Sequence, residues 1–295
     1  MNAKEQQNIL LMKRASRASI AVALTLIACK ALAFVMTGSV AILSGLFDSV
    51  QDLMTSGVNM IAVHHATEPA DKEHRFGHGK AQAIGSLIQG LIIFAAAVFL
   101  AIEAWGRFQH PQPLERPLWG VVVTLVAIAL TVVLVQFQSY VIARTQSLSI
   151  RTDQAHYTGD ILMNVGVLIS MAATTWLGWT RVDALFGMGV AGYLFTVVYQ
   201  VIRDSFRMLM DTEMPDEFRK QIQDIVHSFP VVSRIHDLRT RQSGSHAFIQ
   251  FCIHLNENMT LRQAHDITDM IEDRIREHFP DAEVIIHPEP ERKHL

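Results

Sequence analysis

The chain carries six apolar segments, each about as long as the roughly 20 residues a helix needs to cross a bilayer. They run approximately over residues 18–36, 40–63, 83–105, 118–142, 160–177 and 184–201. Backbone polar groups in hydrocarbon must be satisfied within the spanning element, so such segments fold as helices. The expected fold class is an α-helical membrane protein: a bundle of six transmembrane helices over residues 1–207, then a soluble domain over 208–295. The overall 50% hydrophobic content averages over these two parts, because composition turns ordinary after about Arg203.

Segments two and five are the least uniformly apolar. Segment two holds Asp48 and Asp52, with Ser49, Ser56 and Asn59; the fifth region holds His156 and Asp160, with Thr158 and Asn164. Ionisable groups at bilayer depth are costly and face the bundle interior or a water-filled cavity. A spacing of four puts both members of each pair on one helix face. Two such faces turned toward each other present three carboxylates and one imidazole, a four-ligand set for a divalent cation. A cluster of three carboxylates in a low-dielectric bundle cannot stay fully charged when empty, because like charges favour protonation of one another. Metal entry then displaces protons and metal loss takes them back, so proton–metal exchange follows from the ligand set.

Lys13, Arg14 and Arg17 precede segment one. Lys72, Arg75 and Lys80 fall between segments two and three, Arg144 and Arg151 between four and five, and Arg203 and Arg207 after six. The other side has Arg107, Arg116 and Arg181. The excess of basic residues predicts that both termini are cytoplasmic. The first segment reads as a retained helix rather than a signal peptide, because no small-residue cleavage site closes it. A formal net charge of −3 with dispersed basic residues gives no footprint for nucleic acid. The two cysteines, Cys29 and Cys252, fall in an apolar span and in the soluble part, which argues against a disulfide framework.

Between segments two and three, within a cytoplasmic loop over about 64–80, lies DKEHRFGHGK. Asp71, His74 and His78 can converge there on one ion, and Gly77 and Gly79 let the backbone turn tightly. The tail reads as helix, strand, strand, helix, strand. A helix follows Pro215, strands are expected at about 232–242 and 246–255, a helix at about 260–279, and a strand at 283–287 closed by Pro288 and Pro290. That order suits a small sheet with its helices on one face, whose modest core favours pairing with another subunit. Candidate ligands there are His236, Cys252, His254, His265, His287 and Glu289, with Cys252 and His254 on the same strand face. His227, His246, His278 and His294 read as surface histidines, and His254 fits either reading.

The motifs LFDSVQD, FGHGK, HYTGD, HDLRTRQSG and VIIHPEP, in that order, resemble the cation diffusion facilitator family. The resemblance covers nearly the whole chain. It implies a homodimer in the bacterial inner membrane, with a metallochaperone-like, ferredoxin-type cytoplasmic domain in each subunit. It implies efflux of a divalent metal by alternating access against external protons, so the chain is expected to be a secondary transporter and not an enzyme. By motif, Asp48, Asp52, His156 and Asp160 match the transport site. Asp71, His74 and His78 match a loop site, and His236, His265 and His287 match a binuclear cytoplasmic site. Glu289 stands where relatives carry a bridging Asp, and Cys252 where they carry a His. Lys80 and Asp211 match an interface charge interlock. Members with a His in the transport tetrad are associated with zinc, the metal expected here, with cadmium, iron(II) or manganese as alternatives. A membrane metalloenzyme is disfavoured because the chain has no H-E-x-x-H helix. A sensor is disfavoured because no recognisable output module follows the tail.

Overall fold

A computed structural model of the chain describes residues 3–37, 40–110, 118–179 and 181–291, so Arg116 and His294 lie outside the described residues. Two compact units are present, Met1–Phe206 and Arg207–Leu295.

The first unit is built from six long helices: α1 Ala3–Thr37, α2 Val40–Ala66, α3 Ala81–Gln109, α4 Leu118–Thr145, α5 Leu148–Leu177 and α6 Val182–Leu209. Among the described residues, four helical stretches are long and apolar enough to cross a membrane: Gln6–Met36, Ala81–Gln109, Val121–Thr145 and Val182–Leu209. α2 and α5 carry polar stripes instead, and those stripes are buried. Ser49, Asp52, Thr55, Ser56 and Asn59 of α2 are enclosed, as are Ser149, Thr152, Asp153 and His156 of α5. Outward surfaces are apolar, with Leu91, Phe99, Ile102, Val133 and Tyr199 each about two thirds exposed, as expected of residues whose solvent is lipid.

Two helices start well before their apolar stretches. α1 begins at Ala3 rather than near Ala18, and α5 at Leu148 rather than near Asp160. Hydropathy registers only the apolar portion, whereas the backbone ladder continues through polar turns. For α5 the start is fixed by a cap: Ser147 Oγ accepts from the Ile150 N–H and donates to Gln82 Oε1 at 2.7 Å. His156 and Asp160 therefore both lie inside a continuous helix. α1 packs on α2 and α4, α2 on α3, and α5 on α2, α3 and α4. Gly85 allows the closest of these approaches, since a methyl group there would collide with Ala62 of α2.

The second unit contains α7 Asp216–His227, β1 Arg234–Ser243, β2 His246–Leu255, α8 Leu261–His278 and β3 Ala282–Pro290. The sheet order is β1-β2-β3, with β1–β2 antiparallel and β2–β3 parallel. Ile249, Phe251, Ile253 and Leu255 of β2 meet Ile222, Ile225 and Val226 of α7 and Ile267, Ile271 and Ile275 of α8 in one core. Both helices thus cover one sheet face and leave the other open. Thr260 starts α8 with a capping box to Gln263. The third strand continues through Pro288 to Pro290, past the expected end at His287, because β3 is an edge strand and pairs only with β2.

Candidate metal centres

Asp52 on α2 and His156 and Asp160 on α5 converge inside the helical unit. Their ligand atoms lie within 4.8 Å of one another. His156 Nε2 is 3.2 Å from Asp52 Oδ1 and 3.9 Å from Asp160 Oδ2. The side chains of His156 and Asp52 are 5% and 9% exposed, so water reaches them poorly. Asp160 Oδ2 is itself buried and has no hydrogen-bond partner. A buried carboxylate oxygen normally has one, and a cation would supply what this atom lacks. Asp48, one turn before Asp52 on α2, is exposed and does not join the cluster of three.

Two further charged side chains belong to this neighbourhood and escaped the sequence reading. Asp153 lies one turn before His156 and is fully buried; it accepts from Ser19 Oγ at 2.6 Å and Gln138 Nε2 at 2.8 Å. Lys30, inside the first apolar segment, donates from Nζ to the Gly45 carbonyl at 2.8 Å and to Ser49 Oγ at 2.7 Å. The signal that could have found Lys30 is the one that singled out Asp48, an ionisable residue at membrane depth, whereas Asp153 precedes the fifth apolar segment and only the full length of α5 draws it in.

The loop triad is assembled locally. Asp71 Oδ1 accepts from the backbone N–H groups of Glu73 at 2.8 Å and His74 at 2.6 Å, an Asx-type turn. Gly77, at φ 77°, turns the chain in the left-handed region so that His78 returns. His74 Nδ1 is then 3.4 Å from Asp71 Oδ1, and His78 Nε2 is 3.3 Å from Asp71 Oδ2. The His74 backbone N–H holds the Asp71 carboxyl below the usual carboxylate range, helped by the Glu73 N–H and the His74 ring. An ionised carboxylate beside two imidazoles suits a divalent cation.

The tail cluster occupies the open face of the sheet. His236 pairs across β1–β2 with Cys252, and Cys252 pairs across β2–β3 with His287, while His254 faces Glu289. A bulge in β1 follows His236, with Asp237 at φ 52°. Glu289 is the hub: its carboxylate is 3.5 Å from His236 Nε2, 3.6 Å from His254 Nε2 and 3.7 Å from His287 Nε2. His236, Cys252 and Glu289 form a group with converging ligand atoms, and His254 Nε2 is 3.1 Å from His236 Nε2. His265 is not brought there; it is exposed on α8 and faces Asp269 at 3.4 Å. Asp211, at φ 53°, accepts from Arg241 Nη1 at 3.3 Å, and Lys80 occupies the N-cap of α3.

Burial, and after it the negative charges of Glu289 and Asp237, push the Cys252 thiol up. A thiol with a raised pKa must lose a proton to ligate, so metal held by Cys252 should bind more tightly as pH rises. Cobalt(II) titration should show a thiolate charge-transfer band that grows from pH 6 to pH 8 and is missing in Cys252→Ser. An identical band in that variant would remove Cys252 from the ligand set.

Residues 16–210 match the family model described as cation efflux transmembrane domain, and residues 214–291 match that of the cation efflux protein cytoplasmic domain. The chain is 41% identical over 280 residues to the cation-efflux pump FieF of Salmonella choleraesuis strain SC-B67, covering 95% of this chain and 93% of the relative. The figures are the same for FieF of Escherichia coli O1:K1 / APEC. Among solved structures, it is similar to the metal-bound C-terminal domain of the CzcD transporter from Thermotoga maritima, at 28% identity and a TM-score of 0.26, covering 28% of this chain and all of that one. It is also similar to the cytosolic domain of a cation diffusion facilitator family protein, at 31% identity and a TM-score of 0.24, covering 25% and 89%. With both family models matched in order and the likeness to FieF running nearly end to end, the chain belongs to the cation diffusion facilitator family, as a multi-pass membrane transporter that effluxes divalent metal cations.

Proposed function

We propose that the chain is a zinc–proton antiporter of the bacterial inner membrane, working as a homodimer and exporting cytoplasmic metal by alternating access. The observation that carries this reading is the buried convergence of Asp52, His156 and Asp160 around an oxygen with no partner. Two carboxylates and an imidazole form a borderline-hard set that suits zinc, and a tetrahedral site needs one more ligand. Asp48 supplies it by rotating inward from the same helix. The same atoms bind protons when metal leaves, so the exchange needs no separate proton carrier.

The loop triad and the tail cluster hold further ions that stabilise or regulate the cytoplasmic part. In the dimer, Lys80 and Asp211 take the charge interlock that the family resemblance implies. Iron(II), cadmium and manganese are the competing cargoes.

The test is metal uptake into proteoliposomes under an imposed pH gradient. Zinc should enter faster than manganese or iron(II), and collapse of the gradient should slow it several-fold. Uptake indifferent to the gradient would refute antiport, and a manganese rate above that of zinc would refute the cargo.

A further inference from the structure

Lys30 sits inside the first apolar segment, six residues before its end at Met36, and is part-buried in a region where a charge is costly. Its position is built rather than incidental. The stem lies across Gly45, with Cδ, Cε and Nζ each 3.8 Å from where a β-carbon would stand. The ammonium is held between α1 and α2 by the Gly45 carbonyl at 2.8 Å and by Ser49 Oγ at 2.7 Å. Ser49 is buried, adjoins Asp48 in sequence and lies one turn before Asp52. Among the described residues Lys30 makes no ion pair, yet its charge acts electrostatically on both Asp48 and Asp160. A cation carried by α1 has therefore been tied to α2, the helix that brings Asp52 to the candidate site.

A purely structural polar link between α1 and α2 needs no charge; a neutral donor of the same reach would serve. A full positive charge beside the carboxylates does something a neutral donor cannot. It offsets their negative charge when no metal is present, and it opposes the dication when one arrives. Tight binding alone would slow a pump, since each ion must also leave. We propose that Lys30 is a tethered counter-cation of the transport site, anchored by Gly45 and Ser49, which trades metal affinity for release. This rests on the reading that Asp52, His156 and Asp160 hold the transported ion.

The experiment compares zinc KM and maximal rate in proteoliposomes for the full-length wild type, Lys30→Gln, Lys30→Met, Lys30→Arg and Ser49→Ala. Removing the charge should lower KM at least about tenfold, because a unit charge close to a dication repels it on that scale even in a medium as polar as water. The maximal rate should fall with it, because release becomes limiting. Lys30→Arg keeps the charge and should stay within about threefold of wild type in KM. Ser49→Ala frees the ammonium to move toward the carboxylates, so its KM should rise, opposite in sign to Lys30→Gln. A merely structural link predicts lower rates and lower melting temperatures in every variant, with KM unmoved. An unchanged or raised KM in Lys30→Gln or Lys30→Met overturns the inference. Should both neutral variants fail to fold, a Ser49→Ala protein with wild-type KM overturns it alone. A wild type with no metal flux overturns the transport reading instead, which separates the two failures.

Discussion

Asp160→Ala, His156→Ala and Asp52→Ala proteins should each lose zinc transport by at least about a hundredfold, while remaining folded and membrane-inserted. Loss of an outer-shell partner already costs 10–100-fold in metal sites, so loss of a direct ligand sets that range as a floor. The three are not equivalent in kind. Asp160 carries the buried oxygen with no hydrogen-bond partner, so its removal takes away the atom that most needs a cation. His156 stands between the two carboxylates, 3.2 Å from one and 3.9 Å from the other, and its removal leaves them facing each other without a donor. Asp52 is the only α2 member of the converging three, so its loss uncouples the two helices at the site. Asp48→Ala is the informative fourth variant. If Asp48 completes a tetrahedral site, its loss raises KM by an amount comparable to the others. Undiminished gradient-driven uptake in Asp52→Ala and His156→Ala would sink the assignment of the site altogether.

The second large effect belongs to Asp153. Its carboxylate accepts from Ser19 of α1 at 2.6 Å, Gln138 of α4 at 2.8 Å and Ser56 of α2 at 3.4 Å, while it sits itself on α5. Four helices are joined at one fully buried group. Tyr157 extends the network, with its hydroxyl 2.9 Å from Ser56 Oγ. Asp153→Ala removes the acceptor and leaves the buried donors facing a cavity. Each unsatisfied buried group costs about 1–3 kcal/mol, so the variant should be destabilised by about 3 kcal/mol or more. For a unit of about 200 residues that is a melting shift of roughly 6–12 °C. Asp153→Asn retains size and some hydrogen bonding and should fall between the two. Thermal unfolding in detergent checks this. A melting temperature within a degree of wild type in Asp153→Ala would mean that the network contributes nothing to the bundle. Because Asp153 lies one turn before His156, the destabilised variant should also show a raised zinc KM.

Much of this was legible in the chain before folding. The i, i+4 spacing placed Asp48 with Asp52 and His156 with Asp160, because helical periodicity is a property of the backbone. The bounds of β2 follow from local turn chemistry and the structure has them where the residues put them, while the helix expected from about 260 runs Leu261–His278 with Thr260 as its cap. The local geometry of the loop triad is similarly written in Asp71 and Gly77, since each bond that closes it spans only a few residues.

What stayed hidden depended on neighbours distant in sequence. Pro288 reads as a strand terminator until β3 is known to be an edge, where a missing N–H costs nothing. Lys30 looks like an isolated charge in an apolar run, and Asp153 like one more polar residue ahead of the fifth apolar segment. Their partners lie 15 and 19 residues away for Lys30, and as far as 134 residues away for Asp153. The sequence by itself determined which residue types could bind metal and which of them share a helix or strand face, because those are matters of local periodicity. Tertiary structure alone decided that Asp52, His156 and Asp160 converge while Asp48 stands aside, that Glu289 becomes the hub of three imidazoles, and that a lysine is moored beside the carboxylates. Each of these is a distance between separate elements, and only the packing of those elements sets it.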